Sequence, residues 1–140
     1  MTGPRFLLDT NVVSEPLKPQ PNAKVLRLLR IHGGAVAIAA VTYHEMKYGC
    51  LKLPASQKRQ RLELYLQQRV EAVLPIFPYD DQAAAWHAIE RERLTKQGKT
   101  PPYLDSQIAA IAAVNRLTLV TRNITDFESF QDLPLENWFD

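Results

Sequence analysis

Short apolar runs alternate with stretches of helical periodicity along this chain. Phe6-Leu-Leu follows Arg5 and stops at the polar trio Asp9-Thr10-Asn11, the pattern of a buried parallel strand that hands its last side chains to a loop. Pro16, Pro19 and Pro21 punctuate the next segment. Asn22 is placed to cap a helix in which Val25, Leu28, Leu29 and His32 recur at helical spacing until Gly33-Gly34. Ala35 to Val41 reads as a second buried strand, and Thr42 with Glu45 three residues later has the form of a capping box opening the following helix.

A long helical stretch from about Ser56 to Glu71 carries Leu62, Leu66 and Val70 on one face. Val73 to Phe77 reads as a third strand, placed at a sheet edge by Pro75 and Pro78. Asp80 or Asp81 caps a helix with the apolar stripe Ala83, Trp86, Ile89, ending at Gly98. After Pro101-Pro102, Leu104 to Asn115 is an alanine-rich helix, and Leu117 to Thr121 is a last buried strand ending in Arg122-Asn123. Helices alternating with short apolar strands predict an α/β fold in three layers: a mostly parallel central sheet of four or five strands with helices on both faces. Such sheets bind ligands beyond the carboxyl ends of their strands, where Asp9, Glu45 and Asn123 fall.

Composition narrows the class without naming it. At 140 residues, 46% hydrophobic and 23% charged, the sequence suits one domain over 1–140 with a full core. A single cysteine, Cys50, excludes an internal disulfide, and the N-terminus lacks a signal-peptide pattern, so a cytoplasmic location is expected. No apolar stretch approaches the about 20 residues a membrane span needs. The net charge of +2 does not by itself announce a nucleic-acid binder.

The chemistry lies in the acids. Asp9 stands at a strand end, Glu45 early in the next helix, Asp105 at the start of the alanine-rich helix, and Asp126 just after the last strand. Singly, Glu45 is explained by a capping box and Asp105 by the favourable field of a helix's first turn. Converging, four carboxylates would repel one another unless a divalent cation lay between them. Oxygen ligation suits Mg²⁺ or Mn²⁺ better than zinc, and His44-Glu45 fails as a zinc-protease motif because Tyr48 stands where a second histidine belongs. Among scattered basic residues, Lys99 and Arg122 lie nearest proposed acids and are candidates for phosphate contact. Tyr43 and Tyr103, also beside acids, either stack bases or sit half-buried in the core, the latter being the more ordinary fate of a tyrosine.

Four segments, Phe6-Leu-Leu-Asp-Thr-Asn11, Thr42-Tyr-His-Glu-Met-Lys-Tyr-Gly49, Asp105-Ser-Gln-Ile-Ala-Ala110 and Leu119-Val-Thr-Arg-Asn-Ile-Thr-Asp-Phe127, together resemble the PIN-domain ribonucleases, and within them the VapC toxins of toxin-antitoxin pairs. The resemblance spans nearly the whole chain. It implies a PIN-like fold and an Mg²⁺- or Mn²⁺-dependent endoribonuclease with Asp9, Glu45, Asp105 and Asp126 as catalytic acids, Asp9 and Asp105 as metal ligands, and Asn11, Thr42, Thr121 and Asn123 as supporting polar residues. It leaves the fourth corner of the site open between Asn123 and Asp126. It also implies an RNA substrate, a small cognate antitoxin, a homodimer and a higher assembly with the antitoxin. Met46, Leu51 and Leu53 with the Leu62 stripe would then build a dimer face, unless they are plain core.

Two other readings remain at this point. A phosphoaspartyl-forming hydrolase of haloacid-dehalogenase type also begins with an Asp after an apolar strand, but usually shows Asp-x-Asp, where this chain has Asn11. A catalytically silent PIN-like binding module is the other, although a scaffold has no use for clustered acids.

Overall fold

In the computed structural model, which describes residues 3–140, five short strands set the frame. They are β1 (Phe6–Leu8), β2 (Val36–Ala39), β3 (Ile76–Phe77), β4 (Thr118–Val120) and β5 (Leu135–Glu136), in the order β3-β2-β1-β4-β5. Every pairing is parallel; Phe6 lies opposite both Val36 and Thr118, so β1 is the centre of the sheet. Seven α-helices accompany them: α1 (Thr10–Val13), α2 (Ala23–Ile31), α3 (Ala40–Leu51), α4 (Gln57–Tyr65), α5 (Asp81–Lys96), α6 (Tyr103–Val114) and α7 (Ile124–Phe127). The three-layer α/β architecture expected from the alternation is present.

The two-residue period of the central strands sorts the core into two halves. Leu7, Ala37, Ala39 and Leu119 face one side, where they meet Ala83 and Leu94 of α5, the buried run Ile108–Ala112 of α6, Phe127 and Phe130. Phe6, Leu8, Val36, Ile38 and Val120 face the other, against Val12, Val13 and Val25 of the first helices, Met46 and Cys50 of α3, and Leu66 and Val70. Small side chains on both α6 and β2 let that helix lie close to the sheet. Met46, Leu66 and Val70 are therefore core, and of the proposed dimer stripe only Leu51 is strongly exposed.

Several local expectations shift. β2 ends at Ala39 and the chain turns at once into α3, whose first residue is Ala40 and whose N-cap, Ala39, makes no side-chain bond. Thr42 and Glu45 thus lie inside the helix and form no capping box. Beyond Tyr65 the helix continues as a widened π-turn, Leu66–Glu71. On α5, Ile89 is 67% exposed, and the inward face is Ala83, His87, Glu90 and Leu94, with Trp86 partly covered. The stripe was misplaced because two of its inward positions are polar. His87 bonds the Tyr79 hydroxyl at 2.8 Å, and Glu90 takes two 2.8 Å bonds from Arg93 and one from the Gln131 N–H. The closing strand β5, two residues long, has no counterpart in the four-strand pattern read along the chain.

No helix among the described residues is long and apolar enough to cross a membrane.

Candidate active site

The strand order reverses direction at β1: β2 and β3 follow on one side, while the chain crosses over to place β4 on the other. At such a switch point the connections after neighbouring strands diverge and leave a crevice above their carboxyl ends. Asp9 follows β1 there, and Thr121 follows β4. The Asp9 N–H donates to the Val120 carbonyl at 2.9 Å, which extends the ladder by one bond and fixes where the side chain begins.

Asp9 also caps α1. Its Oδ1 accepts from the Thr10 N–H at 2.8 Å, and its Oδ2 accepts from the Thr121 hydroxyl at 2.8 Å and from the Asn11 amide at 3.4 Å. Thr121 in turn accepts from the Asn123 N–H at 3.0 Å, while the Asn11 Oδ1 accepts from the Arg122 N–H at 3.2 Å. The buried carboxylate is held by hydrogen bonds from neutral groups, without a cation. Thr10, which the sequence pattern did not single out, donates from its hydroxyl to Glu45 Oε1 at 3.4 Å and ties the β1 loop to α3. Its only sequence signal is its place beside Asp9.

Asp105 shows most clearly what surrounds it. In the first turn of the 12-residue helix α6, the helix dipole should favour its ionised form. Instead its pKa is pushed up to about 6, by burial first and then by the charges of Asp9, Asp126 and Glu45. Burial and the neighbouring negative charges dominate its surroundings. The same observation places Asp9 at the end of β1, Glu45 of α3 and Asp126 of α7 within electrostatic reach of Asp105. No cation is among the groups acting on Asp105.

The other candidates separate. Asp126, in the first turn of α7, acts on Asp105, whereas Asn123 enters only through its backbone N–H to Thr121. Thr42 is fully buried in α3, and its hydroxyl has no hydrogen-bond partner. Arg122 turns away from the acids: its guanidinium lies 4.6 Å from the centre of the Phe139 ring, and its charge acts on Glu15. Lys99 is exposed just beyond Gly98, its N–H closing the end of α5 on Leu94. Tyr43 packs on the β1–β2 core and donates to Glu71, as a half-buried tyrosine would. Tyr103 does not: it is 55% exposed.

These donors suit a hard divalent ion in kind, since all are oxygen. Among the described residues, though, no three His, Cys, Asp or Glu side chains close into a ready-made ligand cage. An ion such as Mg²⁺ keeps much of its water and takes only one or two carboxylates directly.

The PIN domain family matches residues 6–132. The chain belongs to the PIN-domain family. Within it, the chain groups with the VapC-type toxins, as the four segments implied. It is 35% identical to Toxin FitB of Neisseria gonorrhoeae over 141 residues, spanning 96% of this chain and 99% of that one. It is 31% identical to the tRNA(fMet)-specific endonuclease VapC of Shigella flexneri, over 96% and 98% of the two chains. In three dimensions this PIN domain superposes on FitAB bound to an IR36 DNA fragment with a TM-score of 0.88 at 33% identity, covering 96% of each chain.

Proposed function

We propose that this PIN-domain protein is the toxin of a type II toxin-antitoxin pair, an endoribonuclease that hydrolyses RNA phosphodiesters at the acidic crevice. One observation carries the reading: Asp105 is raised to about 6 by burial and by three neighbouring acids, with no cation of the protein to relieve them. Such a cluster is costly to the fold and is explained by a bound positive charge. The relatives called endonuclease and toxin support the class of reaction.

Asp9 and Asp105 are the residues that would hold Mg²⁺ or Mn²⁺, with Glu45 and Asp126 at its margin. Bound there, the ion would supply Lewis acidity toward the phosphate and lower the pKa of a water. The protein's own part is positional. Thr121, Asn11 and the Thr10 N–H fix both oxygens of Asp9 before substrate arrives. Preorganised carboxylates need no rearrangement during the reaction. Glu45, exposed and touched by the Thr10 hydroxyl, is free to accept a proton from an attacking water. The phosphoaspartyl alternative falls with the family.

The partner is a small antitoxin, as in the FitAB complex, and an arginine of such a partner would find four unpaired carboxylates to bind. The decisive experiment maps the RNA ends made by purified protein with Mg²⁺ or Mn²⁺, using Asp9→Asn as the blank. Defined ends that disappear in the blank and on chelation are expected. Equal cleavage by the folded blank overturns the site.

A further inference from the structure

An aromatic and basic cluster lies next to the crevice but takes no part in the acid network. Tyr103 is the first residue of α6, two positions before Asp105, and more than half of it is open to solvent. It is nonetheless well supported. The His87 ring meets it at 4.9 Å between centres and 66° between planes, and the Arg91 guanidinium sits 5.6 Å from its centre. His87 is itself fixed by the Tyr79 hydroxyl at 2.8 Å, and burial together with the Arg91 charge lowers the pKa of its imidazole. Three side chains of α5 and its entry loop therefore brace one exposed ring on the helix that carries a catalytic acid.

A ring held so firmly and left so bare is unusual for plain surface, where a tyrosine at a helix start would swing free. An edge-on aromatic neighbour and a delocalised cation are also what a stacking site needs. The π-face takes a base of any identity, and the arginine, exposed on α5, brings a positive charge beside the ring. We propose that Tyr103, braced by His87 and Arg91, stacks a base of the RNA strand beside the bond that is cut, with Arg91 taking the adjacent phosphate. The proposal rests on the nuclease reading above and adds to it the element that orients a single strand across the acids. Single-stranded RNA is favoured over duplex, because only an unstacked base can lie on the ring.

Binding tests it separately from cleavage. In the Asp9→Asn protein, anisotropy is followed for a labelled single-stranded oligoadenylate of twelve nucleotides and for a strand of the same length and charge lacking its bases. Tyr103→Ala should weaken the oligoadenylate about tenfold and Tyr103→Phe should keep it within about twofold, as stacking energies imply. Neither change should alter the baseless strand, while Arg91→Gln should weaken both. Unchanged oligoadenylate binding by Tyr103→Ala overturns the proposal, and so does equal weakening of the two strands. If sedimentation shows that Tyr103→Ala instead splits a dimer without a base-dependent loss, the ring is an interface between copies of the chain and the proposal fails. Absence of binding to either strand by the Asp9→Asn parent overturns it as well. Wild-type protein that binds as expected but yields no metal-dependent RNA ends would overturn the nuclease reading alone.

Discussion

Asp105 and Glu90 are both substantially covered carboxylates on neighbouring helices, and the protein treats them in opposite ways. Glu90 receives a two-pronged arginine, Arg93, and the Gln131 N–H, and these hold its pKa below the ordinary carboxylate value against the effect of burial. Arg93 also reaches the Ser129 carbonyl, so the pair pins α5 to the segment leading into β5. Asp105 receives only other acids and is pushed up. An acid that serves the fold is neutralised from within the chain. Asp105 has no such partner among the groups that act on it.

That contrast can be broken most forcefully at the crevice. Asp105→Asn, like Asp9→Asn, should lower Mg²⁺-dependent RNA cleavage by about 10²–10³-fold, the scale on which single preorganised electrostatic groups act. Thermal unfolding of metal-free Asp105→Asn should come at or above the wild-type temperature, since a repelled charge has gone. A variant both inactive and strongly destabilised would mean that Asp105 is structural after all.

The reverse pattern belongs to Glu90. Glu90→Gln leaves the Arg93 fork without its charged partner and should cost about 2 kcal/mol in denaturant unfolding, in line with hydrogen bonds to charged groups. Its cleavage rate, measured where the variant is folded, should match wild type. Loss of activity without loss of stability would erase the distinction between the two acids.

The two acids also predict opposite responses to pH. The folded pKa of Asp105 is raised, so its contribution to stability is fully present below the ordinary carboxylate value near 4 and is lost as pH rises toward about 6. The folded pKa of Glu90 is lowered, so its contribution is present above that value and fades as pH falls through the folded pKa. Unfolding curves across this range should show Asp105→Asn gaining on wild type between pH 4 and about 6. The deficit of Glu90→Gln should close in acid. Mg²⁺ should raise the unfolding temperature of wild type above pH 6 and leave Asp105→Asn almost unmoved.

The smallest effect is expected at Thr121→Val. It removes the hydrogen bond to Asp9 and the one accepted from the Asn123 N–H while keeping side-chain shape, and should cost about 1.5 kcal/mol of stability. Its cleavage rate should fall by less than that of Asp9→Asn. An equal fall would give Thr121 a direct part in the reaction.

Which features could be read along the chain follows from the same physics. β1 and β2 were legible because strands buried on both faces are unbroken apolar runs, and the acids after them because strand ends deliver polar residues to one crevice. The inward face of α5 was not, since His87 and Glu90 become acceptable inside only through Tyr79 and Arg93. The capping box at Thr42 and Glu45 was a local match overruled by geometry: the N-cap is Ala39, three residues earlier than the pattern suggested. Leu135–Glu136 is too short for any period, and its place is set by pairing with Leu119 and Val120. That the Asp126 charge reaches Asp105 depended on how α7 leaves β4, which no spacing encodes.

The position of β1 between β2 and β4 has a consequence for synthesis. A chain leaving the ribosome offers Asp9 and Glu45 early, but the strand that closes the crevice, β4, emerges only after residue 117, and the Thr121 hydroxyl that fixes Asp9 lies 112 positions downstream of it. Domains fold as units while synthesis proceeds from the N-terminus. A nascent chain therefore carries half of its acids without the neighbours that make them a site. The four acids can come together only once nearly all of the fold has formed.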